Sequence, residues 1–436
     1  MRSTGAVVQI LRASRCDDGG MRIPHSGVLH AQPRRMEATS VGTRVPVLVV
    51  GAGPVGLIAA IRLREQGVAV RVIDEQTADT KRTYPVVLHP RTLHILASLG
   101  VTAPLEWRGR FIKHVAVYAD DLRRVVLDLP SADGIAPGAM TLPQDVLRQG
   151  LMNRLSGLGT EVEWKTRLVA LEQSEGFVRV GLMRRERVEG EAPALKPEWL
   201  DVASETMEAE FVVGADGIRS TVRKTLGIEM VDRGPREAYV FYDVPDERAG
   251  DEAHLILAAG YASTVYPLQA NVSRFSFQVA VRPSQPPGLT ELRELFRSRM
   301  AWYTAAPASF EWSGVAEFHP ALASSFGERR VWLAGDAGHS TGPLGAQSIN
   351  VGIHEADDLG RRISHSLGHG PGPLSSDYAE QRRIEWYRLF GLGPSIPSLA
   401  RAPAWVSQNI AQLLPSLPVS GDDLDDVLEQ LRVRTA

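Results

Sequence analysis

Apolar runs broken by glycine divide the chain from residue 45 onward into short predicted elements. Val47 to Val50 are continuously apolar, which predicts a strand buried on both faces. Gly51, Gly53 and Gly56 follow. Leu57, Ala60, Ile61 and Leu63 then recur at helical spacing, and Gly67 is placed to end that helix. Val68 to Ile73 read as a second strand, with Asp74 at its C-terminal end. The stretch "HVAVYADDLRRVVLDL" alternates like strands, and residues 161–213 read as further strands around a polar loop near "EGEAPALKPEW". Strand signal is dense from Ala238 to Arg282. "PSQPPGL" breaks it before a helix around residues 290–301. Near the far end, Val331 to Ala334 predict a buried strand. It runs through Gly335, Asp336 and a loop containing Gly338, Gly342 and Gly345, and helical spacing resumes at Ile349, Ile353 and Ala356. Residues 376–436 read as mostly helical, broken at "GLGPSIPS" and "PSLPVSGDD".

The first 44 residues show no lasting periodicity and are expected to be disordered or an extension, with Met36 a natural start. "GAVVQILRA", interrupted by Gln9 and Arg12, makes a poor secretory signal, and the cytoplasm is the expected compartment. The 436 residues are 44% hydrophobic and 23% charged, an ordinary soluble composition with enough length for two or three domains. A net charge of -3 gives no basic signature for nucleic acid or an acidic membrane surface. No apolar run approaches a membrane span, so stable membrane insertion is not expected. One cysteine, Cys16, excludes an intramolecular disulfide and a cysteine-based zinc cluster. None of the eleven histidines falls in an HExxH pattern; His365 and His369 sit beside Gly and Pro and read as loop residues rather than metal ligands.

The front pattern carries specific chemistry. In a strand, GxGxxG, helix, strand and terminal acid sequence, Gly51 makes the tight turn, Gly53 admits a pyrophosphate and Gly56 lets helix pack on strand. Pro54 and Val55 open the helix, whose N–H groups and positive dipole favour phosphate. Asp74 is placed for adenosine ribose hydroxyls, with Glu75 the second choice. This fingerprint alone leaves FAD and NAD(P) both open. The second Gly-rich strand–loop–helix, Val331 to Asn350, raises the question of why one chain has two apparent phosphate sites.

Together with "GADG" at Gly214 to Gly217, the fingerprint and "GDAGHSTGPLGAQSIN" resemble, in order, the FAD-dependent aromatic hydroxylases, single-component flavoprotein monooxygenases typified by para-hydroxybenzoate hydroxylase. The resemblance spans roughly residues 45–390 and implies FAD. It places Gly335 and Asp336 at the ribityl chain, Pro343 near the ring, and the backbone of Gly345, Ala346, Gln347, Ser348, Ile349 and Asn350 at the pyrimidine edge. There a helix N-terminus would stabilise the negative charge of reduced flavin. It places Asp216 and Gly217 near the pyrophosphate and Gln144 at a polar cofactor contact, with a plain helix start beside Pro143 as the second reading of Gln144. It likens Tyr378 and Arg382 to the family's closing helix, and gives His339 a structural role. The family has glycines where Ala346 and Ser348 stand, a proline at Gly342, a second alanine at Gly338, and an arginine at Tyr84. Arg82 or Arg91 is the expected replacement for that arginine.

The implied fold is α/β. A discontinuous Rossmann-type FAD-binding domain (45–110, 140–228 and 315–376) carries an inserted, mainly antiparallel β-sheet substrate domain (111–139 and 229–314) and C-terminal helices (377–436). The implied activity is hydroxylation or epoxidation of an aromatic or polycyclic small molecule: NAD(P)H reduces FAD, and a C4a-hydroperoxide formed with O2 delivers one oxygen. The absence of a second GxGxxG fits a nicotinamide cofactor that uses the same domain. The pocket is expected between flavin loop and second sheet. Its candidates are Tyr239, Phe241, Tyr266 and Phe277, with Tyr261, Phe275 and Trp312 beside them; each reads as core before it reads as substrate contact. Alternatives are a reductase or epoxidase of isoprenoid-like lipids, a halogenase (without a WxWxIP-like signature here), or a non-catalytic flavin-binding protein. The assembly is expected to be a monomer or homodimer.

Overall fold

The computed structural model describes residues 43–78, 85–101, 108–119, 121–131, 137–188, 198–258, 260–303, 307–369, 377–393, 399 and 402–434. These residues fall within one compact unit, Thr39–Ala436. The expectations for the N-terminal stretch, and those for Arg82 and Tyr84, concern residues outside the described ones.

The central sheet is parallel where it matters. Strand Arg44–Val50 lies between Val70–Asp74 and the last part of Glu198–Gly214, which in turn pairs with Val331–Leu333; Val162–Trp164 adds beyond Val70–Asp74. Val47 and Val49 face one core cluster and Leu48 and Val50 the other. Two-sided burial explains the unbroken apolar run. The register aligns the strand ends: Val50 is opposite both Gly214 and Ile73, and Gly214 is opposite Leu333. Hence three motifs distant in sequence emerge at one edge, at the C-terminal ends of parallel strands, where open α/β sheets bind ligands.

Helix Pro54–Glu65 follows the first strand, and Gly67, at φ +77°, ends its turn as expected. It packs on the 23-residue helix Gln347–His369. A side chain on Gly335 would meet Val55 Cγ2 at 2.9 Å, and one on Gly352 would meet the Gly335 Cα at 2.9 Å. The Arg62 Nε donates to Asp357 Oδ1 at 2.6 Å in the same interface. The two Gly-rich motifs are therefore packed against each other. His365 and His369 correct the sequence reading. They are helical, with rings stacked at 4.5 Å, because the helix runs on through Gly368, a single glycine being tolerated near a helix end.

A seven-stranded sheet forms the second layer, in the order Trp312–Phe318, Glu237–Pro245, Val272–Val279, Tyr261–Pro267, Glu252–Ala258, His114–Ala119, Leu122–Asp128. It is antiparallel except where Glu252–Ala258 runs parallel to His114–Ala119. It includes Trp312–Phe318, so it extends past the expected boundary at 314. Helix Leu289–Arg299 covers one face of this sheet, with Phe296 4.7 Å from Phe275. Pro85–Leu88 pairs with Ala139–Pro143, which continues directly into helix Gln144–Gly157. Helices Asp377–Leu389, Ala404–Ser416 and Asp423–Arg434 complete the chain.

Candidate active site

A narrow cleft lies at the end of the first strand, lined by Ala52, Gly53, Pro54, Asp74, Gln76, Gln144, Arg148 and Trp164 among others. Gly51 takes φ +107°, and a Cβ on Gly56 would collide with the Gly51 carbonyl, so turn and helix packing both demand glycine. Nothing lies within 4 Å of a Cβ position on Gly53, which leaves open approach to the backbone there. Asp74 Oδ2 accepts from the Ala52 N–H at 2.7 Å and Oδ1 from the Gln76 N–H at 2.7 Å. Its carboxylate is thereby held at the cleft mouth. Glu75 is exposed and is not among the cleft residues.

A cavity of 460 Å3 continues from this cleft, with Gln144 lining both. One wall is the Gly-rich loop: Asp336, Thr341, Gly342, Pro343, Ala346, Ser348 and Ile349. The opposite wall is the seven-stranded sheet, through Phe241, Tyr266, Arg274, Ser276, Trp312 and Phe318. The loop ends at the start of helix Gln347–His369, whose first-turn N–H groups lack intrahelical acceptors. Ala346 adopts φ +53°, the left-handed region expected of the glycine it replaces.

A buried network fixes the loop. Glu355 Oε2 accepts from the Gly335 N–H at 2.8 Å and lies 3.0 Å from His339 Nε2; Oε1 accepts from Trp386 Nε1 at 3.0 Å. His339 also stacks on Trp386 at 4.0 Å, which gives it a structural place. The Tyr378 hydroxyl donates to the Leu333 carbonyl at 2.9 Å, anchoring the closing helix to the strand that leads into the loop, with Arg382 over its ring at 5.8 Å.

The Asn350 amide donates to Val87 O (2.7 Å) and Ala346 O (2.8 Å) and accepts from the His89 N–H (2.8 Å). It staples the cavity-lining strand Pro85–Leu88 to the loop. His89 bridges Gly345 O at 2.7 Å and the Ser420 hydroxyl at 2.8 Å; its full burial pushes its pKa down to about 3. The Gln347 amide donates to Leu417 O and Val419 O, and Gly345 is pressed against the Pro415 and Leu417 carbonyls.

The remaining candidates take varied places, and some lie away from the cavity. The side chains of Gln347 and Asn350 serve the fold, and neither residue lines the cavity. Arg91 pairs with Asp422 at 3.5 Å, next to Gly421, rather than with the phosphate cleft. Asp216 caps the short helix Thr221–Thr225, accepting from Thr221 N at 2.7 Å and Val222 N at 3.1 Å, and burial pushes its pKa up; Gly217 makes the preceding turn at φ +77°. Phe277 and Phe275 lie under helix Leu289–Arg299. Tyr261 lies beneath Arg299 (4.3 Å), and Tyr239 lines a different cavity. Phe241, Tyr266 and Trp312 do line the main cavity. The strand alternates as its sequence predicts, and the cavity face is the one carrying Arg274 and Ser276. Arg274 makes a bidentate pair with Asp243 (2.7 Å twice) and stacks over Trp312 at 4.6 Å. A lone arginine amid apolar strand residues was the available signal.

The residues present fit FAD. A phosphate-compatible turn and the Asp74 carboxylate share a cleft that meets, at Gln144, a cavity bounded by a helix N-terminus. Among the described residues no group of three or more His, Cys, Asp or Glu is arranged to hold a metal, and no helix is long and apolar enough to cross a membrane. The FAD binding domain family matches residues 44–387. A flavin-dependent monooxygenase of Mycobacteroides abscessus is 27% identical over 373 residues, covering 82% of this chain and 75% of its own length. Pentachlorophenol 4-monooxygenase of Sphingobium chlorophenolicum is 27% identical, covering 73% of this chain but 58% of its own length. The crystal structure of p-nitrophenol 4-monooxygenase from Pseudomonas putida superposes with a TM-score of 0.66 at 21% identity, covering 90% of this chain and 97% of that one. Motif geometry and matches agree: the chain belongs to the FAD binding domain family and, within it, to the FAD-dependent monooxygenases.

Proposed function

We propose that this protein uses NAD(P)H and O2 to hydroxylate a neutral aromatic or polycyclic small molecule. The observation that carries the reading is the 460 Å3 cavity, walled on one side by the flavin loop and on the other by Phe241, Tyr266, Trp312 and Phe318. Bound FAD supplies the oxygen-activating chemistry. Gly51 to Gly56 and Asp74 hold its ADP half; Asp336 and the loop from Pro343 to Ile349 hold the other half. The first-turn N–H groups of the helix Gln347–His369 favour negative charge at their mouth. The apolar walls exclude water from the reacting centre. Arg274 is the cavity's cation, but Asp243 neutralises it bidentately, so the wall presents little net charge. That favours a neutral ring over an aromatic acid. Described elements that carry no membrane span are consistent with a cytoplasmic enzyme acting on a diffusible substrate.

The test is to purify the protein and record its flavin spectrum. NADH and NADPH oxidation is then followed across phenols, aromatic acids and polycyclic aromatics, with product analysis. Stimulated oxidation with an oxygenated product from neutral aromatics supports the proposal. Flavin reduction that no aromatic stimulates would refute it.

A further inference from the structure

A second cavity of 330 Å3 meets the first at Thr341 and Gly342, which line both. Leu344, Phe390 and Pro415 give it apolar walls. Inside it, the Tyr239 hydroxyl donates to Glu237 Oε2 at 2.7 Å. The pair sits hard against the flavin loop: a Cβ on Gly342 would lie 2.5 Å from Glu237 Oε2 and 2.8 Å from the Tyr239 hydroxyl. The resembled family carries a proline at this position, and here a proline ring would occupy the space of the pair. Glycine on the loop and the acid–phenol pair on the sheet are thus one arrangement.

Thr341 and Ser416 add hydroxyls to the lining, and three longer polar side chains there are held by the protein. Gln278 accepts from the Ala262 N–H at 3.1 Å, and Gln412 donates to the Gly260 carbonyl at 2.6 Å. Arg233 donates to the Tyr387 hydroxyl at 3.0 Å and lies over that ring at 4.9 Å. The Glu237 carboxylate is the strong acceptor that faces this space, and burial raises its pKa because the charged form is poorly solvated. A ligand that donates a hydrogen bond to it supplies the missing solvation; one that offers only acceptors does not.

We propose that this cavity is a second binding site, for an aromatic ligand bearing a free hydroxyl group, and that Glu237, held by Tyr239, is its specificity determinant. The apolar walls take the ring and the carboxylate accepts from the hydroxyl. The proposal deepens the reading of the protein as an aromatic-compound enzyme, since it adds a recognition element next to the flavin loop, but it does not need turnover to be tested.

Binding of 2-naphthol and 2-methoxynaphthalene, which differ in the one donor, is measured by calorimetry on the purified holoprotein, with Glu237→Gln, Glu237→Ala and Tyr239→Phe. The wild type is expected to prefer 2-naphthol about tenfold or more, the size of one hydrogen bond to a charged group. Glu237→Ala is expected to lose that preference, and Glu237→Gln, whose amide oxygen still accepts without the charge, to keep a reduced one, both with the weaker methoxy affinity and full flavin content retained. Tyr239→Phe, which keeps the carboxylate, is expected to retain part of it. Equal binding of the two ligands by wild type, undiminished preference in both Glu237 variants, or no binding of 2-naphthol at about 1 mM would overturn the proposal. A protein that binds 2-naphthol through Glu237 yet oxidises no aromatic would instead sink the monooxygenase reading and leave this site standing.

Discussion

Replacing Asn350 by Ala removes the staple between the flavin loop and the strand Pro85–Leu88. Three hydrogen bonds disappear, to Val87 O, to Ala346 O and from His89 N, all at 2.7–2.8 Å around a fully buried side chain. At about 1 kcal/mol net for each bond, the loss is about 3 kcal/mol, and stranded buried groups push it upward rather than down. If the loss falls on the FAD-competent arrangement, affinity drops about 100-fold, since each 1.4 kcal/mol is tenfold. Asn350→Asp tests the direction of the bonds. It keeps an acceptor for His89 N but sets a carboxylate oxygen against two carbonyls, so it is expected to be at least as damaging as Ala. The assay is titration of apoprotein by quenching of FAD fluorescence, with denaturant unfolding of the apoprotein alongside. If Asn350→Ala binds FAD within about twofold of wild type and loses less than about 0.5 kcal/mol, the reasoning from this staple is wrong.

Ala346 sits at φ +53°, where a β-branched side chain is strained. Ala346→Val is therefore expected to cost about 2 kcal/mol in thermal or denaturant unfolding, while Ala346→Gly stays within about 1 kcal/mol of wild type and keeps FAD. His89 titrates at about 3 when buried, against 6.5 when exposed. Below its ordinary value the unfolded chain binds the extra proton, so stability rises with pH across that window and levels off above it. Unfolding at pH 5 and 7.5 should show a smaller difference for His89→Gln than for wild type. Glu355→Ala strands the Gly335 N–H and Trp386 Nε1 in a fully buried site; a loss of about 3 kcal/mol or more is expected in the same unfolding assay.

What the sequence made legible was local. Strand, turn, helix and terminal acid lie within thirty-odd residues, so Asp74 and Gly51 to Gly56 could be placed by spacing alone, and Gly53 and Asp74 line one cleft. Asn350 was singled out for its place in a motif, but its role depends on Val87 and His89, some 260 residues away, and no spacing carries that. The second sheet shows a different limit. Alternation separates Phe275 and Phe277 from Arg274 and Ser276, yet both faces are covered, one by helix Leu289–Arg299 and the other by the loop. Hydrophobicity then points to the packed core and away from the cavity. Arg91 was displaced by chemistry that only folding reveals, because the residues after Ser416 return to pair with it.

The central claim is that two Gly-rich motifs hold the two ends of one molecule. Its direct measurement is titration of apoprotein with FAD and with FMN, which lacks the adenylate end, for wild type and Asp74→Ala. The account predicts that FAD binds wild type at least about 100-fold more tightly than FMN, and that Asp74→Ala weakens FAD about tenfold or more while leaving FMN unchanged. Equal affinity for the two flavins, or an Asp74 effect of the same size on both, would contradict it.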